Sequence, residues 1–398
     1  MKGALVKIME LKRYKIIEPD KNANWMDMAT LNPAVIEYKG IIHMLFRVRG
    51  ELGDPHPETM VCPISLGHAW SADGGKTWEI DKSRPCLVPA CEVEPDKLYT
   101  TNIYGERVVN FANGTIEDPR LTIIDGKCYM TAACRFIPLP QMWKNPNLGY
   151  FIGSWAKNDE TNPFGIAASQ NLTVSVLYEV NLDALAKNDY DNAFGYITHL
   201  TNPEFGENRD VVLFSERMMI DGKLQYVMIE RPVDPYINPQ LSEKKPTMVI
   251  SCAEKFTDFA KADNKKTVLA APKYYWEDNR IGASAPPLKV NDKYWILSYH
   301  GKQDDENGYS QNFMLLETVE NSLPVIKKRS AEPIIRVEEA WEFPTHFKIP
   351  CLFITGMIRV GDDVLMAYGA ADERVGVMFA KYKDILNYLD IETENSDE

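Results

Sequence analysis

The chain has 398 residues, of which 45% are hydrophobic and 25% are charged, and its formal net charge at pH 7 is −13. This composition is typical of a folded globular protein. The acidic balance argues against nucleic acid as a partner, because phosphate backbones are bound by clustered Lys and Arg side chains.

The amino-terminal residues 1–12 mix charged and apolar side chains, and no long apolar segment follows them. We therefore expect neither a signal peptide nor a membrane span, and we expect a cytoplasmic location. The six His residues are dispersed and no Cys-x-x-Cys motif occurs, so we expect no metal site. No organic cofactor is indicated either.

One pattern recurs along the chain: an apolar strand, a tight turn containing Gly, Asp or Asn, and a second strand. Asp-Gly and Asn-Asp turns favour the positive φ angles that two-residue hairpins require. The copies start roughly 70–90 residues apart, which is enough for a four-stranded unit with its loops. The five copies are residues 34–47, 121–135, 211–231, 287–300 and 357–368.

Residues 71–78 read Ser-Ala-Asp-Gly-Gly-Lys-Thr-Trp and match the Asp-box, a hairpin turn typical of β-propellers. Helical periodicity is convincing only in residues 382–389. Together these features predict an all-β fold, a five-bladed β-propeller with a short C-terminal helix. We expect one catalytic domain over residues 1–398, with an N-terminal extension at 1–30 and a frayed acidic tail at 390–398.

A propeller gathers functional groups at one end of its central channel, because each blade supplies residues from its innermost strand or an adjoining loop. The segment 117–122, Glu-Asp-Pro-Arg-Leu-Thr, is the most informative part of this constellation. A carboxylate beside an Arg at the mouth of a strand can hold an acid in a defined protonation state. The candidates from all five copies are Asn32, Arg47, Asp118, Arg120, Arg209, Glu216, Arg231, Glu277, Arg280, His300 and Asp372.

Several of these residues also have a purely structural interpretation. Asp118 precedes a proline, where turn aspartates are common, and Arg120 could serve only as its ion-pair partner. His300 closes a strand and could cap a hydrogen-bond network. Glu216 and Arg231 could form a structural pair across one hairpin. The repeat context favours the catalytic interpretation of Asp118.

At these residues the chain resembles glycoside hydrolase family 130, the β-mannoside phosphorylases and related β-mannosidases. The resemblance extends from Asn32 to the terminal helix. It rests on residues 31–33, 45–48, 117–122, 212–216, 221–223, 230–232, 280–283, 298–301 and 367–372.

The resemblance implies an inverting reaction in which Asp118 is the general acid and acts through the mannose 3-hydroxyl. Inorganic phosphate then attacks the anomeric carbon from the opposite face and gives α-mannose 1-phosphate. By the same resemblance Arg47, Arg209 and His300 hold the phosphate. Because a phosphate dianion is already a nucleophile, no second carboxylate is needed. The residues expected to position the sugar are Asn32, Arg120, Glu216, Arg231, Glu277 and Asp372.

The chain also departs from the family pattern. It has Arg49 followed by an insertion at 51–63, and a loop at 138–150 that looks like a substrate lid. Asp210 stands where many members have Asn. A carboxylate there repels phosphate unless it pairs with Arg209 or points away.

We therefore predict a β-mannoside phosphorylase that cleaves a small manno-oligosaccharide or a mannosyl-glucose disaccharide with phosphate, and that has no nucleic-acid or membrane partner. The main alternative is an inverting β-mannosidase in which Asp210 or Glu277 activates water. A second alternative is a propeller that binds glycans without catalysing a reaction. An arabinan- or fructan-active propeller fits less well, since such enzymes use three carboxylates. The linkage, the acceptor sugar and any homo-oligomer stay open.

Overall fold

The chain folds into β-strands joined by loops, with two short α-helices in the described part. The computed structural model describes residues 9–50, 64–138, 164, 170–233, 245–346 and 349–391. The insertion at 51–63, nearly all of the predicted lid at 138–150 and the acidic tail after residue 391 lie outside these residues.

The strands of the first half of the chain are β1 (Lys12–Ile17), β2 (Ala29–Tyr38), β3 (Ile41–Arg49), β4 (Ile64–Ser71), β5 (Glu79–Ile80), β6 (Tyr99–Thr101), β7 (Arg107–Val109), β8 (Thr115–Ile124), β9 (Lys127–Arg135), β10 (Thr173–Val180) and β11 (Phe194–His199). Those of the second half are β12 (Asn208–Leu213), β13 (Met218–Ile220), β14 (Lys223–Pro232), β15 (Met248–Ala253), β16 (Thr267–Ala270), β17 (Arg280–Ala283), β18 (Leu288–Lys289), β19 (Tyr294–Lys302), β20 (Tyr309–Glu317), β21 (Val325–Arg329), β22 (Leu352–Val360), β23 (Asp363–Ala370) and β24 (Arg374–Lys381). The helices are α1 (Leu182–Leu185) and α2 (Tyr382–Tyr388).

Five antiparallel sheets form the blades of a β-propeller, which confirms the predicted fold. Blade 1 contains β2–β5, blade 2 contains β8–β11, blade 3 contains β12–β16 and blade 4 contains β17–β21, while β6 and β7 form a separate hairpin. Blade 5 has the strand order β1-β24-β23-β22. The strands nearest the channel are β2, β8, β12, β17 and β22. Of these, β2 packs against β8 and β22, and β12 packs against β17.

The two ends of the described chain meet in blade 5. β1 pairs antiparallel with β24, with Lys12 opposite Phe379 and Ile17 opposite Val375. The segment that we interpreted as part of an N-terminal extension thus supplies the outermost strand of the last blade. This pairing closes the ring.

The predicted hairpin turns are present. Asp125 and Gly126, and likewise Asp221 and Gly222, have positive φ angles between 50° and 76° at the tips of their hairpins. The Asp-box forms the turn between β4 and β5, where the Asp73 carboxylate accepts hydrogen bonds from backbone amides at 2.9 and 3.0 Å. The sequence therefore encodes these turns locally.

Apolar side chains fill the spaces between neighbouring blades. Between blades 3 and 4, for example, the rings of Phe214 and Trp295 pack edge to face with centroids 5.1 Å apart, and both are buried. The predicted C-terminal helix is present as α2 and buries Ile385 and Leu386. None of the helices in the described ranges is long and apolar enough to cross a membrane.

Candidate active site

The innermost strands of blades 1, 2 and 3 share one irregularity, a β-bulge at the channel. The register shifts between Leu31 and Ala34 in β2, between Glu117 and Arg120 in β8, and between Arg209 and Val212 in β12. A bulge bends its strand and re-aims a side chain, which is why bulges occur next to active sites.

Each bulge carries one residue in the left-handed region of φ. These residues are Asn32 at 44°, Asp118 at 50° and Asp210 at 57°. Asn and Asp adopt this conformation more readily than other non-glycine residues. The three blades thus present three corresponding polar side chains to the same channel.

These side chains open onto a cavity of about 160 Å³ to which all five blades contribute. It contains seven of the predicted site residues, namely Asn32, Arg47, Asp118, Arg209, Arg231, His300 and Asp372. Arg280, from the wider set of candidates, also lines it, as do Asp210, Tyr309, Cys351 and Phe353. The predicted convergence of charged strand ends is therefore present.

Asp118 lines the cavity, and its carboxylate is fixed by two donors. Its Oδ1 atom accepts hydrogen bonds from Asn32 Nδ2 at 2.8 Å and from Arg47 Nη1 at 3.0 Å. Arg47 Nη1 also lies 3.2 Å from Glu117 Oε2. Burial acts to raise the pKa of Asp118, but the charges of Arg47 and Arg120 outweigh it and hold this pKa below its ordinary value. Asp118 is therefore ionised in the free protein.

Asp372, at the tip of the turn between β23 and β24, has the opposite shift. Burial raises its pKa above the ordinary Asp value, and the nearby charge of Asp118 adds to this, while Arg47 opposes it. Two carboxylates in one cavity thus differ in proton affinity. Such a pair is typical of sites that move protons.

Asp210 forms the centre of a second network. Its Oδ2 atom accepts a hydrogen bond from Arg231 Nε at 2.5 Å and lies 3.4 Å from His300 Nε2, and its Oδ1 atom accepts from Arg120 Nη2 at 3.3 Å. Burial opposes ionisation, yet the charges of Arg231 and Arg120 and the hydrogen bond from Arg231 hold the pKa of Asp210 far below its ordinary value. Asp210 therefore carries a negative charge and pairs with Arg231 and Arg120, while Arg209 pairs elsewhere.

His300 is neutral in this network. Burial lowers its pKa to about 3, and the charge of Asp210 compensates only in part. Gly282, opposite His300 in the β17–β19 ladder, leaves room for the contact, because a Cβ atom there would lie 2.5 Å from His300 Cε1. The imidazole is thus placed by close packing as well as by charge.

Three guanidinium groups line the remaining wall. Arg209 Nε donates to Glu207 Oε1 at 3.0 Å, and Arg280 Nε donates to Asn279 Oδ1 at 2.5 Å. Arg231 is 3% exposed, and among the described residues its Nη1 atom has no hydrogen-bond partner. A buried, unsatisfied guanidinium nitrogen beside a cavity is a ready donor to an anion.

Arg120 lies beside the cavity and contacts both Asp118 and Asp210. Its guanidinium donates to the backbone carbonyls of Ser284 at 2.8 Å and Asp118 at 3.0 Å, as well as to Asp210. The positive charge thus lies between the carboxylates of Asp118 and Asp210. The expected direct ion pair with the Asp118 carboxylate is replaced by a contact to its backbone.

Glu216 and Glu277 do not line the cavity, so the prediction that they contact the sugar is wrong. Glu277 is fully buried, accepts backbone hydrogen bonds from Lys273 and Tyr274, and pairs with Arg329. Its role is to hold a short 3₁₀ turn in place.

Glu216 lies between β12 and β13, where it pairs with Lys289 at 2.8 Å. The alternative pairing of Glu216 with Arg231 is also absent, because Arg231 binds Asp210.

Two aromatic residues of the site were missed from the sequence. The ring centroids of Phe353 and Tyr309 lie 4.5 Å and 5.8 Å from that of His300. Both residues stand at strand starts without a charged neighbour that would single them out. The register of β20 on β19 pairs Gln311 with His300 and so brings the start of β20, with Tyr309, close to the cavity.

A family model described as beta-1,4-mannooligosaccharide phosphorylase matches residues 167–391, which is more than half of the chain. The chain belongs to glycoside hydrolase family 130. The 1,2-beta-oligomannan phosphorylase of Thermoanaerobacter sp. (strain X514) is 26% identical over 96% of this family 130 chain and 99% of its own length. The beta-1,2-mannobiose phosphorylase of the same strain is 26% identical over 94% and 97%.

A solved structure shares the fold of this family 130 chain. It is the beta-1,2-mannobiose phosphorylase from Listeria innocua in complex with beta-1,2-mannobiose, with a TM-score of 0.63 and 19% identity. The likeness covers 96% of this chain and 100% of that one. The family model begins within blade 2, after Asp118, so the blade 1 and blade 2 site residues lie outside its match.

Proposed function

We propose that this protein is an inverting β-mannoside phosphorylase that cleaves a small manno-oligosaccharide with inorganic phosphate and releases α-mannose 1-phosphate. The observation that carries the proposal is a single cavity lined by Asp118 and by Arg209, Arg231 and Arg280. Family membership and the phosphorylase names of the relatives support it.

Asp118 is the proposed general acid, and it must gain a proton before it acts. Both of its side-chain hydrogen bonds, from Asn32 and Arg47, end on Oδ1, so Oδ2 is the atom that can carry the proton. A phosphate dianion in the cavity raises the pKa of a nearby carboxyl by repulsion, and a bound sugar raises it by excluding water. Substrate binding thus prepares the acid, which then protonates the leaving group through the mannose 3-hydroxyl.

For phosphate we propose the guanidinium groups of Arg209, Arg231 and Arg280 together with the neutral imidazole of His300. Arg47, which the sequence resemblance assigned to phosphate, is better placed to orient Asp118, because its Nη1 atom is engaged by Glu117 and Asp118. Arginine suits this role, since its planar fork binds phosphate with two parallel hydrogen bonds.

Asn32 and Asp372 are the proposed contacts to the mannosyl ring, because both line the cavity beside Asp118. The names of the two relatives favour a β-1,2 linkage over the β-1,4 linkage in the description of the family model. The cytoplasm stays the proposed compartment.

The test is to incubate the protein with β-1,2-mannobiose in the presence and absence of inorganic phosphate. Phosphorus NMR should show α-mannose 1-phosphate only when phosphate is present, and free mannose should equal the sugar phosphate formed. Free mannose in both tubes would mean hydrolysis instead. Calorimetric binding of the sugar without turnover would mean a non-catalytic glycan-binding protein. The Asp118→Asn variant serves as the inactive control.

A further inference from the structure

A buried carboxylate beside the groups that bind an anion repels that anion. Asp210 lines the cavity beside Arg231, Arg280 and His300, which are three of the four groups proposed to hold phosphate. It is 4% exposed, so water screens its charge poorly. An anion that reaches this wall must therefore lie close to a second negative charge.

The contacts of Asp210 leave it able to accept a further hydrogen bond. Its Oδ1 receives one donor, from Arg120, and its Oδ2 receives one, from Arg231. An ionised carboxylate has about four lone-pair positions, so positions remain on both oxygens. Close by, Arg231 Nη1 is buried and has no partner within the described residues. A tetrahedral anion bound by Arg231 Nη1 would thus bring one oxygen near a carboxylate that can only accept.

We propose that Asp210 is a specificity-determining residue that selects a tetrahedral oxyanion carrying a proton, hydrogen phosphate, and rejects one that carries none, such as sulfate. The inference rests on the proposed function and extends it to the protonation state of the bound anion. A P–O–H group turned toward Asp210 donates a hydrogen bond to it. Sulfate at neutral pH has no proton to donate, so two unprotonated oxygens would face each other without water between them.

The geometry of the bulge supports this role. Asp210 has a φ of 57° and is held from three sides, by Arg120, Arg231 and the packing of Gly282. Its carboxylate therefore cannot turn away when an anion arrives. A fixed acceptor discriminates between two anions of the same shape and charge, because the wrong one leaves a buried pair of acceptors unpaired.

The test measures anion binding by isothermal titration calorimetry at neutral pH on the full-length protein. The probes are phosphate and arsenate, which carry a proton, and sulfate and monofluorophosphate, which do not. We expect the first two to bind about 100-fold more tightly than the second two, the size expected for a lost hydrogen bond to a charged group. In Asp210→Asn this ratio should fall at least about tenfold, because the amide can donate to sulfate.

Glu207→Gln is the matched control, since Glu207 is the counter-charge of Arg209 on the same blade but does not line the cavity. This substitution should strengthen the binding of all four anions by a similar factor and leave the ratio of their affinities unchanged. Equal binding of phosphate and sulfate by the wild-type protein would overturn the role of Asp210 even if no variant folds, and would leave phosphorolysis intact. Failure to bind any phosphate, together with no sugar phosphate product, would instead count against the proposed function.

Discussion

Asn32 Nδ2 donates a hydrogen bond to Asp118 Oδ1 over 2.8 Å, although the two residues lie 86 positions apart in the sequence. Both stand at the bulge of an innermost strand and both have positive φ angles. The bond therefore joins corresponding points of two neighbouring blades. It sets the orientation of the proposed acid and leaves its second oxygen, Oδ2, for the proton.

Replacing Asn32 with Ala should lower kcat by about 100-fold, the effect of a misplaced catalytic group. Without this donor Asp118 loses one of the two hydrogen bonds that fix its carboxylate, and its pKa should rise, because the Asn32 hydrogen bond is one of the contacts that lower it. Steady-state kinetics across pH measures both effects. The midpoint of urea unfolding provides the control for folding. An unchanged kcat with an unchanged pH profile would show that the bond has no part in catalysis.

Asp118→Asn should retain the fold and lose about 10²- to 10⁴-fold in kcat on β-mannobiose, the usual contribution of a general acid. Asn tolerates the φ of 50° at this position, so the bulge should persist. An aryl β-mannoside with an acidic phenol needs no protonation of its leaving group, and the variant should cleave it in phosphate at a near wild-type rate. Equal losses on both substrates would mean that Asp118 holds the sugar instead of protonating it.

The sequence predicted the parts of the fold that are encoded locally. The turns at residues 125–126 and 221–222, the Asp-box and helix α2 each depend on a few adjacent residues. The spacing of the hairpins then gave the number of blades. The repeat also predicted that Asp118 and His300 reach the channel, and both line the cavity there.

Contacts between residues distant in the sequence were beyond this reasoning. Strand periodicity tells which face of a sheet a residue lies on but not which distant side chain stands opposite it. Glu277 was misassigned because Arg329, its partner, lies 52 residues further along the chain. The sequence indicated that Asp210 needs a positively charged partner. That it pairs with Arg231 and Arg120 instead of Arg209 depends on the bulge of β12.

Asp372→Asn should make the protein more stable at neutral pH. Burial raises the folded-state pKa of Asp372, so the folded protein binds this proton more tightly than the unfolded chain does. Its ionisation therefore lowers stability as pH rises from the ordinary value of 3.8 through the raised folded-state pKa, and the loss persists above it. Asn cannot ionise and avoids this loss.

Urea unfolding of the wild-type protein and Asp372→Asn, compared at neutral pH and below the ordinary Asp pKa, measures the effect. The stability gain should be present at neutral pH and vanish in acid. The catalytic rate of this variant should fall, because Asp372 is proposed to contact the mannosyl ring. A gain in stability with a loss of activity is a common trade-off in active sites. A variant that is less stable at neutral pH would contradict the raised pKa.

Arg13→Met should destabilise the ring closure by about 3 kcal/mol, the low end for breaking a buried ion pair. Arg13, from β1, donates to Glu342 Oε2 at 2.7 Å, and their side chains are 2% and 0% exposed. Removing the guanidinium leaves the Glu342 carboxylate buried without a counter-charge. The hydrogen bonds that Glu342 accepts from Tyr368 and from two backbone amides remain and limit the loss of stability.

Two companion variants separate the ion pair from the strand itself. Lys15 also lies on β1 and forms an exposed ion pair with Glu18. Lys15→Met removes this pair and should change stability by less than about 1 kcal/mol. Adding Glu342→Gln to Arg13→Met should recover most of the loss, because no buried charge then lacks a partner. If urea midpoints show Arg13→Met to be as mild as Lys15→Met, closure of the propeller depends on the β1–β24 backbone ladder, and the buried pair contributes nothing to it.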